Sequence, residues 1–175
     1  MSAAGTIWIT GLSGSGKSTL ARALARELQD THAVVLLDGD DFRARLDREY
    51  GHTVEERFAV LGLLVERARE ENLKGRAVVV ATISHKQAMR AHARCRLARF
   101  LEVYLDCSAD VCAARDPKGL YRRARGGEYA CFPGVTEPYE PSPAVELVLD
   151  TAALPVESAL QRLLPEALAF LSAGR

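Results

Sequence analysis

The chain has 175 residues, enough for one domain with a substantial core. Lysine plus arginine and aspartate plus glutamate number 23 each, a formal net charge of zero, which argues against a surface devoted to nucleic acid or to an anionic membrane. The four cysteines, Cys95, Cys107, Cys112 and Cys131, form no C-x-x-C pair and no histidine pair stands at ligand spacing, which argues against zinc and for free thiols in a reducing compartment.

Met1 to Thr6 show no charged segment leading into an apolar run, and no stretch approaches the roughly 20 apolar residues of a membrane span. A cytoplasmic protein with no membrane partner is expected. In chain order, Ile7-Trp8-Ile9-Thr10 reads as a first strand. It runs into Gly11-Leu12-Ser13-Gly14-Ser15-Gly16-Lys17-Ser18, the full G-x-x-x-x-G-K-[ST] pattern between a strand and a helix. Glycines let backbone N–H groups turn toward phosphate oxygens, and the following helix adds its positive end. Lys17 reaches the β- and γ-phosphates as a point charge, and the Ser18 hydroxyl suits Mg²⁺. Gly11, Ser13, Gly14, Ser15, Gly16, Lys17, Ser18 and Thr19 are therefore the expected ATP-binding residues.

Leu20, Leu24 and Leu28, with Ala21 and Ala25, mark one face of the first helix. Val34-Val35-Leu36-Leu37 is a second strand, ending in Asp38-Gly39-Asp40-Asp41-Phe42-Arg43. Ligands of open α/β sheets lie beyond the carboxyl ends of the strands, so these carboxylates should face the phosphate loop. There a carboxylate accepts the acceptor hydroxyl's proton or holds Mg²⁺ through water, and Arg43 pairs with an acceptor anion. Capping by Asp40 or Asp41 explains one acid but not three in four residues.

Val54, Phe58, Leu61 and Val65 set the face of a longer helix. Val78-Val79-Val80-Ala81, Leu101 to Leu105, and Leu147-Val148-Leu149 supply three further strands, and Pro155 to Leu171 a closing helix. Near-continuous apolar strands alternating with helices predict a parallel sheet covered on both faces, in one domain over residues 1–175. Asp116 to Pro143, rich in proline, glycine and arginine, breaks the alternation and reads as a lid. Within it Lys118, Arg122, Arg123 and Arg125 form a basic cluster fit to neutralise a transferring phosphoryl group, whereas Arg90, Arg94, Arg96 and Arg99 read as a solvated surface. No N-K-x-D run selects guanine, and the third strand ends in Ala81-Thr82 rather than Asp-Glu. A kinase of a small acceptor is the expectation.

Gly11 to Thr19, Leu37 to Asp40 with Arg43, Asp116-Pro117-Lys118-Gly119-Leu120-Tyr121, Ala124 to Glu128, Phe132, Gly134, Pro138-Tyr139-Glu140 and Glu146 to Thr151 together resemble the adenylyl-sulfate kinase family. That family phosphorylates the ribose 3′-hydroxyl of adenosine 5′-phosphosulfate. The resemblance implies a five-stranded P-loop fold, a homodimer and Mg-ATP. It makes Asp38 and Asp40 candidates for base and metal organiser, without saying which is which, and puts Lys118 in the lid that closes over the phosphates. It also puts Phe132 against the acceptor's adenine, the backbone of Ile83 and Ser84 beside that base, and a kept arginine at Arg57. The chain departs from the pattern on the acceptor side. Gly51-His52-Thr53 replaces Gly-Phe-Ser, Ala59-Val60-Leu61-Gly62-Leu63 replaces Glu-Asn-Ile-Arg-Arg, and His85-Lys86-Gln87 replaces Pro-Tyr-Arg. The missing arginine pair implies a lost stacking guanidinium and weaker binding of the family's acceptor. A related kinase for another nucleotide-linked acceptor, such as cytidine diphosphoramidate, is the alternative; a non-catalytic nucleotide binder is disfavoured by the intact Lys17, Ser18, Asp38, Asp40 and Lys118.

Overall fold

The computed structural model describes residues 4–173. Five strands and seven helices follow in the order β1 (Thr6–Gly11), α1 (Lys17–Gln29), β2 (Val34–Asp38), α2 (Gly39–Ala44), α3 (Val54–Leu73), β3 (Ala77–Ala81), α4 (Gln87–Arg96), β4 (Phe100–Asp106), α5 (Ala109–Arg115), α6 (Leu120–Arg125), β5 (Leu147–Asp150) and α7 (Val156–Ser172). The strands form one all-parallel sheet in the order β2-β3-β1-β4-β5. Every residue of β1 and β3 is buried, as near-continuous apolar runs predict for strands covered on both faces.

The two-residue period of the strands divides the core. Ile7, Ile9 and Val79 face the leucines of α1 and the Leu163–Leu171 stripe of α7. Trp8, Val78 and Val80 face the other way, onto Leu61, Leu64 and Val65 of α3 and Met89 and Ala93 of α4. A third cluster, Leu12, Cys107, Cys112, Tyr121, Ala124 and Phe132, seats the base of the 116–143 segment against the phosphate loop. α3 starts with a capping box: Thr53 Oγ1 accepts the Glu56 amide at 3.2 Å, and Glu56 accepts the Thr53 amide at 3.2 Å. This fixes the turn that carries His52 and Arg57 into the site.

Candidate active site

The carboxyl ends of β1, β2 and β3 open on a cavity of about 770 Å³, closed on the far side by residues 115–132. The phosphate loop follows β1, the central strand. Gly11 has φ 148°, and a Cβ there would stand 2.8 Å from Leu105 O, so the loop can leave the sheet here only without a side chain. Gly16, at φ 97°, is the N-cap of α1, whose free amides face the cavity. Two braces hold the loop from behind: Tyr121 Oη donates to Ser13 O at 2.9 Å, and Thr151 Oγ1 donates to Ser15 O at 2.9 Å.

Lys17 is buried, and its ammonium donates to Leu12 O at 2.6 Å. Burial pulls its pKa down to about 8, against the opposing charges of Asp40 and Asp38. Across the cavity Asp38 is the N-cap of α2, and its Oδ1 accepts the Asp40 amide at 3.0 Å. The capping acid is therefore Asp38, not Asp40 or Asp41. β2 ends on it, so its side chain is the first that can turn back onto the helix. Asp40 instead pairs with Lys118 at 2.7 Å. Partial burial works to raise the Asp40 carboxyl, but the Lys118 bond and the charges of Lys118, Lys17 and Arg43 outweigh it and hold it below the usual range. That same bond raises the Lys118 pKa.

Arg43 and Arg57 are oriented by carbonyls rather than by acids. Arg43 Nη1 donates to Tyr50 O and Gly51 O at 2.9 and 2.7 Å. Arg57 donates to His52 O at 3.1 Å and to Cys131 O at 3.2 Å. Among the described residues neither guanidinium forms an ion pair, and both line the cavity. Burial and then the charge of Arg57 lower the Arg43 pKa against the opposing charges of Asp40 and Glu56. Six lysines and arginines but only four aspartates line the cavity, a surplus suited to an anionic ligand. The remaining wall is apolar and aromatic: Val60, Leu61, Leu64, Phe132 and Tyr129.

The structure places the expected residues unevenly. Gly11 and Ser15 do not line the cavity, and the Ser15 side chain is fully buried. In the lid only Lys118 of the basic cluster lines the cavity; Arg123 is drawn to Glu128 at 2.6 Å, and Arg125 lies 3.9 Å from Asp110. Phe132 reaches the cavity but is 4% exposed, with Tyr121 edge-on at 5.1 Å and Tyr129 tilted against it at 5.7 Å. Ile83 and Ser84 line the cavity, but Ile83 O accepts Thr10 Oγ1 at 2.5 Å and Ser84 O accepts Arg90, so both carbonyls are already engaged. Gly62 and Leu63 are off the cavity: a Cβ at 62 meets nothing within 4 Å, and Leu63 is 42% exposed. The helical period turns residues 60, 61 and 64 inward instead. Arg90 is no surface residue at all, being 1% exposed and paired with Glu102 at 2.9 Å.

Two histidines enter the acceptor side. His52 meets Tyr129 edge-on at 5.5 Å. His85 is 1% exposed and its Nε2 has no partner; burial, then Arg57 and Lys86, push its pKa down to about 4. Tyr121, Tyr129, Thr151 and Arg90 are the participants that sequence reasoning missed as individuals, since their roles depend on partners far away in the chain.

The sequence model of the adenylylsulphate kinase family matches residues 3–150. The chain belongs to the adenylylsulphate kinase family. The adenylyl-sulfate kinase of Bacillus pumilus is 44% identical over 162 residues, covering 91% of this chain and 82% of that protein. The solved APS kinase CysC of Mycobacterium tuberculosis, in complex with AMPPNP and APS, superposes with a TM-score of 0.89 at 34% identity, covering 96% of this chain and 99% of that one. A hexameric APS kinase from Thiobacillus denitrificans gives 0.70 at 29% identity, covering 97% of this chain and 30% of that one. The family's five-stranded parallel P-loop fold is thus the fold of this chain, as the sequence resemblance implied. Among the described residues no helix is long and apolar enough to cross a membrane.

Proposed function

We propose that the protein is an adenylyl-sulfate kinase, transferring the γ-phosphate of ATP to the 3′-hydroxyl of adenosine 5′-phosphosulfate. One observation beyond family membership carries this reading: Arg43 and Arg57, free of carboxylate partners, sit with an apolar and aromatic wall on the side of the cavity facing Lys17. Such a half-site suits a ligand with a flat base at one end and an anionic group at the other.

The residue roles follow from the same arrangement. The amides opening α1 and Lys17 hold the ATP phosphates. Lys118, oriented by Asp40, adds a second positive charge where the phosphoryl group passes. The Asp40 carboxylate is held by Lys118 at 2.7 Å, so Asp40 serves Lys118, and Asp38, which also lines the cavity, is assigned the acceptor hydroxyl. The donor set also fits Mg²⁺. Among the described residues no cluster of three or more acids, histidines or cysteines forms a metal cage, and Mg²⁺ at phosphates needs only one or two protein oxygens. Ser18 would supply one directly and Asp38 would hold the ion through water, and the ion would neutralise phosphate charge. The reading includes self-association, in keeping with the hexameric Thiobacillus relative; a homodimer is the assembly proposed.

The test is ATP consumption by the purified protein with adenosine 5′-phosphosulfate and, separately, with cytidine diphosphate derivatives. Saturable turnover of the first, with 3′-phosphorylated product, is expected. Turnover confined to a cytidine-linked acceptor would replace the proposed substrate and leave the kinase assignment standing. No turnover of any acceptor with intact ATP binding would overturn both.

A further inference from the structure

We infer that Arg90 is a positioning residue for the acceptor half of the site, joining the turn after β3 to the end of the lid segment. The inference rests on the function proposed above. A buried ion pair by itself is a cross-brace, and Arg90–Glu102, each partner 1% exposed, braces α4 to β4. The other bonds of the guanidinium point beyond bracing. Nη1 donates to Ser84 O and, at 3.3 Å, to Lys86 O; Nη2 donates to Glu140 O. The planar group also lies 5.0 Å from the Tyr139 ring centroid. One side chain therefore grips two segments more than 50 residues apart: the first lines the cavity itself, and the second follows cavity-lining Phe132.

The first segment is the turn Ile83-Ser84-His85. Ser84 has φ 38°, a left-handed backbone that a serine holds only under constraint. Its hydroxyl accepts Trp8 Nε1 at 3.1 Å and lies 2.9 Å from Thr10 Oγ1. Thr10 has one proton, given to Ile83 O, so Ser84 and Tyr139 both donate to its oxygen, Tyr139 at 2.9 Å. The turn delivers Ile83 and His85 to the cavity. The second segment is the lid's return, which descends from Tyr129 and Phe132. The Glu140 amide donates to His85 O at 2.9 Å, and its carboxylate accepts the Gln87 amide at 2.9 Å. Lys86 adds solvent-facing straps to Glu137 at 2.8 Å and Glu140 at 3.3 Å. The joint sets the spacing between the His85 wall and the Phe132 wall, which is where the acceptor's base would lie. The phosphate loop shares none of Arg90's bonds.

Lysine at position 90 keeps the charge facing Glu102 but lacks the planar fork that spans two carbonyls. Arg90→Lys is expected to raise the KM for adenosine 5′-phosphosulfate at least tenfold, with the KM for ATP within twofold of the wild type. Hydrogen exchange should quicken at residues 83–86 and 137–140 and stay unchanged at 11–19. Lys86→Met cuts only the outer straps. It should raise the acceptor KM several-fold with an unchanged melting temperature, which keeps the test decisive if Arg90→Lys does not fold. Unchanged acceptor KM in the folded variants, or a parallel rise of both KM values, overturns the inference. If the wild type does not turn over adenosine 5′-phosphosulfate, the functional reading has failed and exchange alone judges the joint. Faster exchange confined to the two segments then upholds it, and uniformly faster exchange overturns it.

Discussion

The two halves of the cavity are built in opposite ways. The ATP side is local: nine consecutive residues, Gly11 to Thr19, make the loop and open α1, and distant residues only brace them. The acceptor side is assembled from α2, α3, the turn after β3 and the lid, with Arg43, Arg57, His85 and Phe132 brought together by long-range bonds such as Arg57 to Cys131 O. A local device tolerates change elsewhere, because its geometry is set by its own backbone. An assembled one can be retuned by single substitutions.

The largest expected effect falls on the local half. Lys17→Ala should lower kcat by on the order of 10²–10³, the range for losing one donor to transition-state charge, with little change in melting temperature. A folded variant with normal kcat would remove the phosphate loop from the chemistry. The depressed Lys17 pKa adds a pH test with a definite sign. The charged form is the protonated one, so kcat/KM for ATP should fall as pH rises through about 8. A limb that persists unchanged in a Lys17→Arg variant belongs to another group.

Asp38→Asn comes next. Asparagine still caps α2, so the fold is preserved while the charge is lost. Removing a base costs about 10² or more in kcat, with the KM for ATP little altered. Near-normal kcat would reduce Asp38 to its capping role and return the assignment to Asp40.

On the assembled half, Arg57→Ala should raise the acceptor KM by about 10- to 100-fold, from the roughly 1.5–3 kcal/mol of a charge-assisted hydrogen bond. ATP binding should be untouched. An equal loss for both substrates would mean that Arg57 holds the lid rather than the ligand.

The smallest effect separates the wall of the cavity from its neighbours on the same helix. Gly62→Arg should leave the acceptor KM within twofold, because the position faces open space. It should raise the melting temperature by about 2–4 °C, since glycine costs roughly 1 kcal/mol in a helix interior. A marked fall in acceptor KM would show that an arginine there reaches the base after all.

What is encoded within a few neighbouring residues can be read without the fold. The central strands are legible because a strand covered on both faces is built from near-continuous apolar residues, as Ile7-Trp8-Ile9 of β1 and Val78-Val79-Val80 of β3 are. The phosphate loop is legible because its glycines, Lys17 and Ser18 act through adjacent backbone. The tertiary structure alone decided which acid caps and which meets Lys118, since Asp38 and Asp40 differ only in how β2 ends against α2 and the lid. It also decided that Arg90 is buried, though its helix carries arginines on several faces. Nothing in the local pattern announces Glu102 on β4 or the Glu140 carbonyl, and a charge enters a core only where such distant partners converge on it.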